Sequence, residues 1–339
     1  MSPRWFCVAT LLLLTLLPAT GSAYTLLDDD HRKLSLGGLT RVGWVFEGGS
    51  HTPNQEAFIQ LARLSGSMQT QWGKAYIGGE AASGSFDLLD AFVEVYPTEG
   101  LVLRAGIFVR PTPADDIMPA PRMPFVRRSM LRTFTDVRLP GAEVVGTLPV
   151  GTAELDLSLG WFMPDPTERA LLPGGDGNYL SARALLGFEN GLGLHLAYFG
   201  LMGADNAPVP SPDDPTGETL VQPVPDPHVV DVALMYWTDA WNLQAELMLA
   251  PNTQDASEEL NWGAYVHGQY RLPLINTLEI GPGARYGLLH DRGVLTQRVT
   301  LGATLFIDGH ALKFMPNYDL AIREEGVDHT GWLTLHAGF

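Results

Sequence analysis

Thr330-Gly331-Trp332-Leu333-Thr334-Leu335-His336-Ala337-Gly338-Phe339 closes the sequence and reads as one amphipathic strand. Leu333, Leu335, Ala337 and Phe339 fall on one side. Thr334, His336 and Gly338 fall on the other, because strand side chains alternate with period two. An extended segment with one apolar and one polar face has to divide two environments. The question is whether the rest of the chain repeats this rhythm.

It does. Segments of about ten alternating residues, separated by turn signals, fall at 34–47, 56–70, 74–82, 86–97, 100–110, 139–149, 151–163, 178–188, 191–202, 228–238, 240–250, 260–271, 276–288, 294–307, 309–322 and 329–339. In 151–163, Ala153, Leu155, Leu157, Leu159 and Trp161 oppose Glu154, Asp156, Ser158 and Gly160. A buried parallel strand would be apolar on both faces. Even-numbered connections are mostly tight, as at Thr98-Glu99, Val150-Gly151 and Asp308-Gly309, whereas odd-numbered ones include the long segments 48–55, 111–138, 164–177, 203–227 and 251–259. Short turns at one rim and long loops at the other are the layout of a membrane barrel, and a β-sandwich predicts no such parity. Aromatic residues cluster near strand ends, as Trp44, Trp161, Trp237, Trp241 and Trp262 do, which suits interfacial girdles.

The expected fold is therefore all-β: a transmembrane antiparallel β-barrel of about 16 strands, with short periplasmic turns, long extracellular loops and the third loop folded into the lumen. A soluble all-β protein is the other reading of the same alternation. The start of the chain supports export. Met1-Ser2-Pro3-Arg4, an apolar run from Trp5 to Leu17 and then Pro18 to Ala23 have the pattern of a secretory signal peptide. The expected organisation is a signal peptide at 1–23, an N-terminal linker at 24–33 and the barrel at 34–339. The only cysteine, Cys7, lies in the signal peptide, so the mature chain has no disulfide framework.

The formal net charge of −17 argues against a nucleic-acid binder, which needs a basic face. The 37 glycines and 25 prolines suit a chain with many turns. No G-x-S-x-G, no H-E-x-x-H and no paired-histidine spacing occurs, so neither a cofactor nor a metal is expected and the chain is read as a non-enzyme. A Ser–His pair brought together by folding, such as Ser181 with His195, leaves a hydrolase as an alternative. A closed barrel acting as an adhesin or scaffold is another. Acidic residues concentrate in 203–227 and 251–259, which suggests an outer surface facing divalent cations and lipopolysaccharide.

A barrel of this strand number encloses an aqueous channel. With the apolar face to lipid, the lumen receives Arg41, Arg63, Arg104, Arg110, Arg183, Arg285, Arg298 and Lys313, and also Glu80, Asp90, Glu94, Glu143, Asp231 and Glu246. The loop from Pro111 to Arg138 carries Arg122, Arg127, Arg128, Arg132 and Arg138 beside Met118, Met123, Phe125, Leu131 and Phe134. A loop both apolar and basic is expected to pack inside the lumen and present arginines at the constriction. A ring of arginine favours anions, and the planar guanidinium suits phosphate or carboxylate. The competing expectation is that these arginines pair with wall acids such as Asp90 and Glu94 and act as props.

The stretch from about Ala57 to Pro149 resembles the phosphate-selective porin O and P family. Arg104-Ala105-Gly106-Ile107-Phe108-Val109-Arg110-Pro111 is similar to that family's Arg-x-Gly-Gln-Phe-Lys-x-Pro strand. Pro124-Phe125-Val126-Arg127-Arg128-Ser129 is similar to the Phe-x-Glu-Arg-Ser segment of its inward loop. Ile107, Val109 and Arg127 depart from the pattern. The resemblance implies a trimeric, often anion-selective porin that passes small hydrophilic solutes, with Arg104, Arg110 and Arg128 lining the pore or anchoring the loop. Likeness to outer-membrane barrels likewise implies that Phe339 is read by the barrel-assembly machinery.

Overall fold

The computed structural model describes residues 24–338 except 30, 50–53, 83–84, 111, 120–121, 135–137, 164–177, 203–208, 211–219, 222–227, 252–259, 276 and 292. Sixteen long strands follow one another around a ring. They are β1 (Arg32–Gly49), β2 (Asn54–Thr70), β3 (Gly73–Ala82), β4 (Ser85–Thr98), β5 (Leu101–Val109), β6 (Arg138–Val150), β7 (Ala153–Phe162) and β8 (Asn178–Phe188). Then come β9 (Leu192–Met202), β10 (His228–Trp237), β11 (Trp241–Pro251), β12 (Leu260–Tyr270), β13 (Leu278–Asp291), β14 (Val294–Asp308), β15 (Leu312–Arg323) and β16 (Gly326–Gly338). Each pairs antiparallel with its sequence neighbour. β16 pairs with β1, from Leu39 opposite Gly338 to Gly49 opposite Asp328, and closes the barrel. Closure leaves no open sheet edge, a condition for placing strands in lipid.

Every one of the sixteen segments read from alternation is a barrel strand. The outer face carries the apolar set: Leu157, Leu159, Leu194, Leu196, Val232, Leu247 and Leu301 are all exposed. Such a belt would be intolerable in water and is what a bilayer requires. Trp72, Trp237 and Trp241 are exposed at the short-turn rim, and Phe46 and Trp161 near the opposite rim. The tight turns rest on glycine. Gly100 (φ 74°) and Gly151 (φ 63°) adopt left-handed backbone that residues with a side chain rarely take.

The segment expected as a linker, 24–33, is instead largely structured. Tyr24–Asp28 forms a strand against β1, with Tyr24 opposite Leu36 and Asp28 opposite Lys33. β1 is longer than β16, so β16 ends opposite Leu39 and leaves the first part of β1 unpaired on that side. The N-terminal strand fills this gap. Asp29 then turns the chain, accepting the N–H groups of His31 and Arg32 at 2.9 and 2.8 Å. Its pKa is held below the usual carboxylate value, chiefly by the His31 bond. Phe339 and the acid-rich stretches within 203–227 and 252–259 lie outside the described residues, apart from a small hairpin of Val209–Pro210 with Leu220–Val221.

Candidate functional site

The core of this molecule is not between layers but inside the ring. The connection from β5 to β6 turns inward and fills part of the lumen. Its apolar side chains dock on wall residues of both neighbouring and distant strands. Leu131 and Phe134 join Phe108, Phe162, Phe199, Met248 and Tyr265 in one buried cluster, and Met118 and Met123 join Leu39 and Leu61 in another. The wall is cut back to receive them. A Cβ on Gly263 would lie 2.3 Å from Leu131 Cδ2, and one on Gly283 would meet Phe125 Cζ at 3.4 Å.

Polar wall side chains fix the loop backbone. Lys313 donates to the Met123 carbonyl at 2.9 Å and Arg41 to the Val126 carbonyl at 2.9 Å. The Val126 N–H donates to Asn317 Oδ1 at 2.8 Å, and Arg285 donates to the Arg127 carbonyl at 3.1 Å. The loop contains a short 3-10 helix, Met130–Phe134, and one α-helical turn, Ala114–Ile117. The Ala114 and Asp115 N–H groups at its start donate to Asp231 at 3.0 Å and Glu246 at 3.1 Å. Arg128 donates to the Asp115 and Met118 carbonyls at its other end. Carboxylates thus satisfy orphan donors at one terminus and a guanidinium orphan acceptors at the other. Asp231 is itself paired with His195, whose Nε2 lies 3.1 Å away, and Glu246 accepts the Tyr265 hydroxyl at 2.6 Å. His195, a member of the Ser–His pair considered from sequence, therefore has Asp231 beside its Nε2.

Two cavities flank the loop. The outer one, about 520 Å³, lies toward the long-loop rim between the loop and the ends of β13, β14 and β15. Among the described residues its lining includes Arg127, Arg128, Arg132, Arg298 and Arg323 and no acidic residue. The inner one, about 540 Å³, runs along β4, β5 and β6. Arg63, Arg104, Arg110, Arg128, Arg138 and Arg183 line it with Glu94 and Glu143. Arg128 borders both, and its bonds to the helical turn hold it in place.

The wall acids are taken by wall arginines. Asp90 pairs with Arg138 at 3.0 Å, and Arg138 is the first residue of β6 rather than part of the inward loop. Glu94 pairs with Arg104 at 2.7 Å, and Arg104 also reaches Glu143 at 3.2 Å. The prop expectation holds for Arg138, which takes Asp90, while Glu94 is taken by Arg104; Arg127, Arg128 and Arg132 border the cavities. Arg110 is buried with its guanidinium carbon 3.8 Å from the Phe199 ring centre. It anchors the point where the chain leaves β5. Arg127 lies over the Trp332 ring at 5.4 Å. Arg122 is exposed and borders neither cavity. Gly106, in the motif-bearing strand, has φ 134°, and a Cβ there would strike the Ala91 carbonyl at 2.1 Å. Arg298 and Arg183 appear at lumen-facing positions of the alternation, but nothing local distinguishes them from other strand arginines. Arg323, at the end of β15, carries no such signal at all.

No protein-family model matches this sequence, and no curated protein sequence does. Solved structures match its fold. An anion-selective porin from Comamonas acidovorans superposes with a TM-score of 0.64 at 11% identity, covering 91% of this chain and 100% of that one. OprB of Pseudomonas putida gives 0.63 at 13% identity, covering 99% and 97%. OmpT of Vibrio cholerae, in its trimer form, gives 0.61 at 12% identity, covering 91% and 100%. The resemblance to the phosphate-selective porins thus finds no support at the level of that family. The chain shares the closed barrel of outer-membrane porins.

Proposed function

We propose that this chain is an outer-membrane porin, exported through a cleaved signal peptide, that lets small hydrophilic anions diffuse across the membrane without catalysis. The observation that carries the reading is the outer cavity, lined among the described residues by five arginines and no carboxylate. Fixed positive charge in a confined lumen raises the local anion concentration and opposes cations. Arg323 is offset by Asp328 at 3.2 Å. A lining guanidinium such as that of Arg127 or Arg298 can present two parallel N–H donors to a carboxylate or phosphate oxygen pair. Phosphate belongs to this solute class, and a homotrimer is the proposed assembly.

Planar-bilayer recording of the refolded mature chain in a KCl gradient tests the proposal. The expected reversal potential lies on the chloride side. A potential on the potassium side overturns the anion reading, and absence of any conductance favours the closed adhesin or scaffold.

A further inference from the structure

The lumen-facing side of a porin strand is expected to be polar, yet Val102 of β5 and Val145 of β6 both line the inner cavity. They are direct cross-strand partners, so their side chains form one apolar step on the wall. Neither is fully covered. The same cavity takes Ile117, Met118 and Pro119 from the inward loop. The outer cavity has no equivalent: only Met130 and Leu289 among its named lining residues are apolar.

From this contrast we infer that the inner chamber selects amphiphilic organic anions, a carboxylate on an apolar body, over small hydrophilic anions of the same charge. The inference rests on the anion-pore reading and narrows its solute class. Arg183 and Arg128 supply the cationic side of the chamber and Val102, Val145 and Ile117 the apolar side, while Arg104 is held between Glu94 and Glu143 at 2.7 and 3.2 Å and fixes the wall behind them. Arg104 is further backed by aromatic rings, its guanidinium carbon 5.1 Å from the centres of both Phe92 and Phe108. A carboxylate such as benzoate can meet a guanidinium while its ring covers the valine step, removing apolar surface from water on both partners. Acetate and inorganic phosphate have nothing to lay on that step. The outer chamber gathers anions by charge alone, and the inner one sorts them by their uncharged part.

The test is block of chloride current by added benzoate or acetate at pH 8, where both are ionised, through single channels of the whole mature chain. Benzoate is expected to half-block at a concentration at least about fivefold below acetate. The double variant V102T/V145T keeps side-chain shape and adds two hydroxyls; it should bring the two half-blocking concentrations within about twofold. Ile117→Thr, on the loop side, should narrow the gap in the same direction, and the appearance of channels reports that each variant has folded. Equal block by benzoate and acetate in the unmodified channel overturns the inference, as does an intact gap in V102T/V145T. Either result alongside a chloride-side reversal potential in KCl leaves the anion pore standing. A potassium-side potential removes both.

Discussion

At the residue scale the argument turns on which arginines face the solute path. Arg128 borders both chambers and holds the end of the helical turn, so Arg128→Gln removes a charge at their junction and weakens an anchor together. It is expected to shift the KCl reversal potential toward potassium and to increase open-channel noise. Arg298→Gln should give the same shift in potential without the noise, since Arg298 sits on a strand. Arg122→Gln should leave the potential unchanged, because Arg122 borders neither chamber; the three variants recorded side by side check the assignment. The loop arginines were legible in the sequence because charge inside an apolar loop is anomalous and asks for an explanation. Arg298 was legible only as lumen-facing and Arg323 not at all, since a single arginine at a strand position or strand end looks the same whether it braces a neighbour or lines a path. The sequence offered Asp90 as a partner for the arginines of 111–138, and Arg138 is the one that takes it, whereas the pairing of Glu94 with Arg104 was open to view only once strand register was known.

At the element scale the inward loop is stable because its peptide groups find partners on strands far away in sequence. Lys313→Met keeps much of the side-chain length but leaves the Met123 carbonyl without its buried donor, a loss of about 1–3 kcal/mol. The loss is local to the loop. Protease cleavage between residues 112 and 134 should speed up, while the barrel's unfolding midpoint in denaturant moves little, and digestion followed by mass spectrometry reads this directly. Gly263→Leu acts from the other side by placing a side chain where Leu131 now rests. The displaced loop has only the lumen to move into, so single-channel conductance should fall. Alternation located all sixteen strands because each is long enough for the period to repeat. It missed Tyr24–Asp28, where five residues give too few repeats, and where the reason for pairing lies in the unequal lengths of β1 and β16. The docking of the loop followed from its composition, but its wall partners Lys313, Asn317 and Arg41 depend on closure of the ring.

At the scale of the whole molecule two charge distributions compete. The chain carries a formal net charge of −17, which by itself suggests a channel that favours cations, whereas arginine is the commonest residue lining its two cavities. Screening decides between them: at physiological salt a charge is felt over about 8 Å, so an ion inside the lumen responds to the wall beside it rather than to distant acids. The inside–outside assignment behind this reasoning is testable on one strand. Leu159 of β7 is exposed on the outer face, and Leu159→Arg should destabilise the folded barrel in lipid by about 2–4 kcal/mol if that face meets hydrocarbon. Asp156, three residues earlier, points to the other face and accepts the Thr147 hydroxyl at 2.6 Å. Asp156→Asn preserves an acceptor for that bond and removes a negative charge, so stability should hardly change while the reversal potential moves further toward chloride. Urea unfolding in lipid vesicles and bilayer recording check the pair. If Leu159→Arg were tolerated as well as Asp156→Asn, the outer face would not be in lipid, and a chain with this much exposed leucine and valine would need a protein partner around its whole circumference.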